Sequence, residues 1–137
     1  MPIKSRNSLS PQDVVVAQST PQELLRRFWG FTNFRHGQEE VIHAVLKESD
    51  ALAVMPTGAG KSLCYQLPAL MKPGLTLVVS PLIALMKDQV EALIKRGVLA
   101  AYINSSLTPA QNASTLAQVK AGVIRILYVA PERFPSE

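Results

Sequence analysis

A single cysteine, Cys64, occurs in this 137-residue chain, so no internal disulfide can form. His36 and His43 do not stand at ligand spacing with any acidic or cysteine cluster, which argues against a built-in metal cluster. Cys64 itself reads as a small buried hydrophobe rather than a reactive thiol. No apolar run approaches the ~18 residues that a membrane span requires. The best early stretch, residues 14 to 17, is too short for a secretory signal core. The expectation is therefore a cytoplasmic protein with no membrane partner. Charge is also scarce: 18% of residues are charged against 47% apolar, a balance that excludes disorder over most of the length. The net charge of +4 is spread from Lys4 to Arg133, and such scatter permits a polyanionic partner without demanding one. The length suits one domain, or part of one.

Against these absences one segment stands out, Met55-Pro56-Thr57-Gly58-Ala59-Gly60-Lys61-Ser62. It follows the apolar run 51 to 54 and opens onto residues 63 to 70, which continue as a helix. This is the pattern of a phosphate-binding loop. Gly58 and Gly60 allow backbone conformations closed to other residues and bring N–H groups close to anionic oxygens. Lys61 is placed to reach the terminal phosphates of a nucleoside triphosphate and Ser62 to hold Mg²⁺ through its hydroxyl. The helix N-terminus adds partial positive charge beneath them. The usual pattern has Gly or Ala where this chain has Met55, so the strand-to-helix context carries the assignment.

Residues 1 to 19 are rich in Ser, Pro and Gln and read as a flexible leader, with a nucleotide-binding α/β domain over 20 to 137. Thr20-Pro21-Gln22-Glu23 has the form of a capping box with proline at the first helical position. Leu24, Leu25 and Phe28 supply the buried face of that helix, and Gly30 ends it. A second helix is expected from about Gly37 to Lys47, with Val41, Ile42, Val45 and Leu46 on one side. Four apolar runs, 51–55, 75–80, 99–103 and 125–129, read as strands covered on both faces. Between the second and third, a helix from about Leu82 to Arg96 buries Leu82, Met86, Val90, Leu93 and Ile94. Glu91 and Lys95 pair on its other side, and Gly97 caps it. Thr108-Pro109-Ala110-Gln111 forms a second capping box, opening a helix that ends near Gly122. Strand–helix–strand units at this rhythm predict an α/β fold with a parallel sheet.

Four ordered blocks carry a more specific resemblance. They are residues 30 to 38 (Gly-Phe-Thr-Asn-Phe-Arg-His-Gly-Gln), 55 to 66, 80 to 90 (Ser-Pro-Leu-Ile-Ala-Leu-Met-Lys-Asp-Gln-Val) and 127 to 134 (Leu-Tyr-Val-Ala-Pro-Glu-Arg-Phe). In this order and spacing the chain resembles the first RecA-like domain of a superfamily 2 helicase, and closely resembles the RecQ family of DNA helicases. That resemblance implies a P-loop NTPase fold, a RecA-like three-layer sandwich, of which the chain would be the N-terminal part. It further implies ATP and Mg²⁺ as cofactors and single-stranded or partly duplex DNA as partner.

In the resembled family the first block reads adenine. Gln38 is assigned to that role, because a carboxamide matches the adenine N6 and N7 edge in two hydrogen bonds. Phe31 and Arg35 would sandwich the base. His36 stands where the family usually has proline. ATP binding is thus assigned to Phe31, Arg35, Gln38, Thr57, Gly58, Ala59, Gly60, Lys61 and Ser62, with Lys61 the catalytic candidate. The resemblance also implies DNA contacts from Ser80 and Leu82, from Lys87, from Asn104 and from Arg133, the last as a phosphate contact or a structural ion pair. Such contacts hold phosphates without reading bases.

No Asp-Glu pair follows the loop as far as Glu137. The family's Asp-Glu-Ala-His strand and the arginine finger of a second RecA-like domain would supply hydrolysis and coupling. Loss of a general base costs ~10²–10⁴ in rate and loss of an arginine finger ~10³–10⁵. The expectation is a chain that binds nucleotide but turns it over negligibly, with an exposed apolar sheet edge that favours aggregation. Two readings follow: the N-terminal part of an ATP-dependent DNA helicase, or a free-standing non-catalytic nucleotide- or DNA-binding module. A small-molecule kinase explains neither the Gln38 block nor the Ser80 block.

Overall fold

The computed structural model describes residues 18–56 and 60–134. Most of the expected leader, and the loop residues Thr57, Gly58 and Ala59, lie outside the described residues. The chain divides into two compact units, residues 1–72 and 73–137.

In the first unit, helix α1 (Pro21–Leu24) opens on the expected capping box. The Glu23 N–H donates to Thr20 Oγ1 at 3.2 Å, and the Thr20 N–H donates to Glu23 Oε2 at 3.1 Å. The helix then widens into a π-helical turn, Leu25–Trp29, closed by Gly30 at φ 73°. Leu24 and Leu25 are buried, whereas Phe28 is only half-buried, against expectation. The wider turn rotates Phe28 off the buried face, and its ring sits edge-on to Trp29 with Arg27 over it. Helix α2 (Gln38–Leu46) buries Ile42, and helix α3 (Leu63–Met71) buries Leu63, Leu67 and Leu70. The two pack together. Pro68 removes one helical N–H from α3, and the burial of its neighbours holds that helix.

The strand expected over 51–55 is corrected: no ladder among the described residues includes it. Leu52 is 93% exposed and Val54 90%. A strand exists only through its hydrogen-bonded neighbours, and none of the described segments pairs with this one.

The second unit is an α/β layer with a parallel sheet of three strands, β1 (Thr76–Val79), β2 (Ala100–Ile103) and β3 (Ile126–Val129), in the order β1-β3-β2. Thr76 and Ala100 both align with Ile126, and Val79 and Ile103 both align with Val129. Burial on both faces holds for the central β3 alone, while Leu77 and Val79 of β1 are exposed. Helix α4 (Ile83–Lys95) connects β1 to β2, and α5 (Pro109–Lys120) connects β2 to β3. Met86, Val90 and Leu93 form the buried stripe of α4, but Leu82 and Ile94 are exposed. Leu82 precedes the helix, and Ile94 lies a further 100° round from Leu93. Glu91 pairs with Lys87 at 3.8 Å, one turn before it, rather than with Lys95. The second capping box forms as expected, with the Gln111 N–H donating to Thr108 Oγ1 at 3.1 Å and the Thr108 N–H to Gln111 Oε1 at 2.9 Å.

Candidate functional site

The first unit brings the Gln38 block against the end of the glycine-rich loop. Gly37, at φ 84°, turns the chain into α2 and places Gln38 at its first position. Gln38 is 3% exposed. Its Oε1 accepts from the Arg35 N–H at 2.8 Å, and its Nε2 donates to the Gly60 carbonyl at 3.1 Å. Two segments 22 residues apart are thereby joined through one carboxamide. Arg35 is exposed, and Phe31 keeps half its surface (51%) open. No ring contact among the described residues engages Phe31. Beside them lies an open cavity of about 470 Å³ lined by Phe34, Arg35, His36, Glu39 and His43.

After Gly60 the chain turns directly into α3. The carbonyls of Lys61 and Ser62 already accept from Cys64 N and Gln66 N, at 3.1 and 3.0 Å. The Tyr65 N–H also donates to the Ser62 carbonyl, at 3.3 Å, so the attraction this helix start offers phosphate is that of its positive end. Lys61 is exposed, and no ion pair among the described residues involves it. Ser62 stands at the N-cap, yet its hydroxyl caps nothing. A hydroxyl with that disposition fits a hard cation that takes oxygen ligands. In α3, Cys64 is buried with its Sγ 4.0 Å from the Met55 sulfur.

In the second unit the expected DNA-facing residues gather at one end of the sheet. Because the strands are parallel and in register, Ser80, Asn104 and Ala130 each follow the last residue of a strand. Ligands of open parallel sheets bind at such carboxyl ends. The Ser80 N–H donates to the Val129 carbonyl at 3.1 Å, and its Oγ accepts from the Leu82 N–H at 3.2 Å. Leu82 is exposed, and Lys87 is exposed beside Glu91. Arg133, on a 3₁₀ turn (Pro131–Arg133), is exposed, and no ion pair among the described residues holds it.

Asn104 departs from its expected role as a direct contact. It is wholly buried. Its Oδ1 accepts from the Ser106 N–H at 2.9 Å, its Nδ2 faces the Met86 sulfur at 3.4 Å, and its carbonyl accepts from Asn112 Nδ2 at 3.3 Å. The residue builds the Ser105–Ser106 turn rather than presenting itself to a ligand. The Asn-x-Ser spacing was a readable signal for such a turn. The Asn112 and Gly60 contacts had none, since both depend on chain segments brought together by folding.

The three-stranded parallel sheet makes this an α/β protein, and its family match implies a RecA-like P-loop fold. Residues 35–136 match the DEAD/DEAH box helicase family, and the chain belongs to that family. Among characterised relatives it is similar to the ATP-dependent DNA helicase RecQ of Haemophilus influenzae, 50% identical over 119 residues that cover 87% of this chain and 19% of the relative. RecQ of Synechocystis is 48% identical over 85% of this chain and 24% of the relative. ATP-dependent DNA helicase Q-like 5 of Arabidopsis thaliana is 44% identical over 90% and 14% respectively. The chain thus spans between 14% and 24% of the length of these three relatives.

Proposed function

We propose that this chain supplies the ATP-binding portion, and part of the single-strand DNA path, of a RecQ-type ATP-dependent DNA helicase. The observation that supports the reading is the hydrogen bond from Gln38 Nε2 to the Gly60 carbonyl, which joins the segment that would read the base to the one that would hold phosphate. Lys61 would reach the terminal phosphates, and the positive end of α3 would attract their oxygens. Ser62 would hold magnesium, which supplies charge neutralisation at the phosphates when bound. Phe31 and Arg35 would flank adenine while Gln38 reads its edge. Ser80, Leu82, the Ser105–Ser106 turn and Arg133 would contact the backbone of a DNA strand at the carboxyl end of the sheet, with Lys87 a further charge nearby. A second RecA-like domain would complete the coupling machinery of the parent protein.

Titration calorimetry tests the nucleotide site. Mg·ATP is expected to bind the chain, and Lys61→Ala to weaken it by about 10- to 100-fold, the range of a charge-assisted contact. Equal affinities for the two proteins would remove Lys61 from the site. Adenine reading is tested by competition: ATP is expected to displace a bound probe better than GTP, and equal displacement would withdraw Gln38 from that role.

A further inference from the structure

We propose that Asn112, on α5, is a positioning residue for the turn that follows β2, and that it aims the Ser105 N–H at a DNA phosphate. This rests on the DNA-path reading above. Asparagine is a poor choice inside a helix, because its side chain competes for backbone groups. Here it is the fourth residue of α5 and only 4% exposed. Its Nδ2 donates to the Asn104 carbonyl at 3.3 Å. Its Oδ1 is buried with no hydrogen-bond partner among the described residues. Turning the amide over would set that oxygen against the Asn104 carbonyl oxygen, so the orphan acceptor is inherent in the contact. An unmet buried acceptor costs stability, and an apolar side chain at 112 would carry no such cost. The polar residue is explained by what its amide holds, the Asn104 carbonyl.

That carbonyl decides where the turn points. It also accepts from the Leu107 N–H at 3.3 Å, which closes the turn. The Asn104 side chain braces the same turn through Ser106, whose N–H and hydroxyl both donate to Asn104 Oδ1. Ser105 stands at the tip, exposed, and no hydrogen bond among the described residues engages it. The Asn104 carbonyl and the Ser105 N–H belong to one trans peptide, so they point in opposite directions. Drawing the carbonyl inward onto Asn112 therefore turns the Ser105 N–H outward. An outward N–H with a serine hydroxyl beside it suits a phosphate oxygen and reads no base. It lies at the carboxyl end of the sheet, as Ser80 and Arg133 do. Without the clamp the peptide can rotate, and pre-organisation is lost.

A fluorescent oligothymidylate is the probe, followed by anisotropy at low salt with the full 137-residue chain. Asn112→Leu keeps the branched outline of the side chain and removes its donor, and Asn112→Ala removes the donor without adding bulk. Ser105→Pro deletes the N–H and the hydroxyl at a turn position that suits proline. Circular dichroism melts establish that each variant is folded at the assay temperature. Each substitution is expected to weaken DNA binding about three- to tenfold, the range one hydrogen bond commands. The effects of Asn112→Leu and Ser105→Pro should not add in the double variant, because both act on one donor. A merely structural asparagine would give additive losses, or a loss of active sites with unchanged affinity, and either result overturns the inference. So does DNA binding that Ser105→Pro weakens and both Asn112 substitutions leave alone, with the DNA-path reading still standing. A silent Ser105→Pro overturns the inference too; if Arg133→Ala is also silent, the DNA-path reading falls with it. Should neither Asn112 variant fold, nuclear magnetic resonance of the unmodified chain decides. Oligothymidylate should then shift the Ser105 N–H and the Asn112 side-chain amide together, and a shift at Ser105 alone overturns the inference.

Discussion

At Cys64, burial pushes the thiol above its usual range, and a backbone hydrogen bond offsets this only in part. The folded chain therefore holds this proton to higher pH than the unfolded chain does. Its contribution to stability is complete below the ordinary thiol value of about 8.5 and is lost as pH rises beyond it. Melting temperatures followed from neutral to alkaline pH should fall less steeply for Cys64→Ala than for the parent; parallel slopes would contradict the assignment. Iodoacetamide should label Cys64 slowly in the folded chain and quickly in urea. Asn104 gives the opposite kind of lesson. The family resemblance implied a direct DNA contact, but its carboxamide holds a turn together from inside. Asn104→Ala should lower stability by about 1–3 kcal/mol in urea unfolding, the cost of leaving buried partners unmet. A change within error would mean that the Ser105–Ser106 turn stands without it.

The elements that read correctly from sequence were those whose causes are local. Both capping boxes needed only a threonine, a proline and a Glu or Gln within four residues, and both formed. Thr20→Ala and Thr108→Ala should each cost about 1 kcal/mol, measured by chemical denaturation. If one of them is silent, its helix start is held by packing instead. The π-helical turn at Leu25–Trp29 was not legible. No residue type in this segment announces it. The pairing of Glu91 was misread for a related reason. Lys87 and Lys95 lie one turn away on either side, equal in spacing, and side-chain rotamers chose between them.

For the molecule as a whole, apolar residues in water are the prominent feature. Leu52 and Val54 stand almost fully open, and Leu77 and Val79 of β1 are exposed as well. Isolated exposed hydrophobes are ordinary, but alternating ones on an extended segment are a template for association. Light scattering of the 137-residue chain should therefore show self-association that grows with concentration. The double substitution Leu52→Glu with Val54→Glu should suppress it. A monomer at all concentrations, melting cooperatively, would show that these side chains are covered in solution.

Sequence alone determined the α/β rhythm, the helix starts and the Gly60-Lys61-Ser62 turn before α3, because each follows from residue types only a few positions apart. Tertiary structure decided the rest. It set which apolar runs became strands, since a ladder needs a neighbour. It drew Asn104 inside and brought Gln38 onto the Gly60 carbonyl, since a buried polar group must find its partner wherever the fold places one.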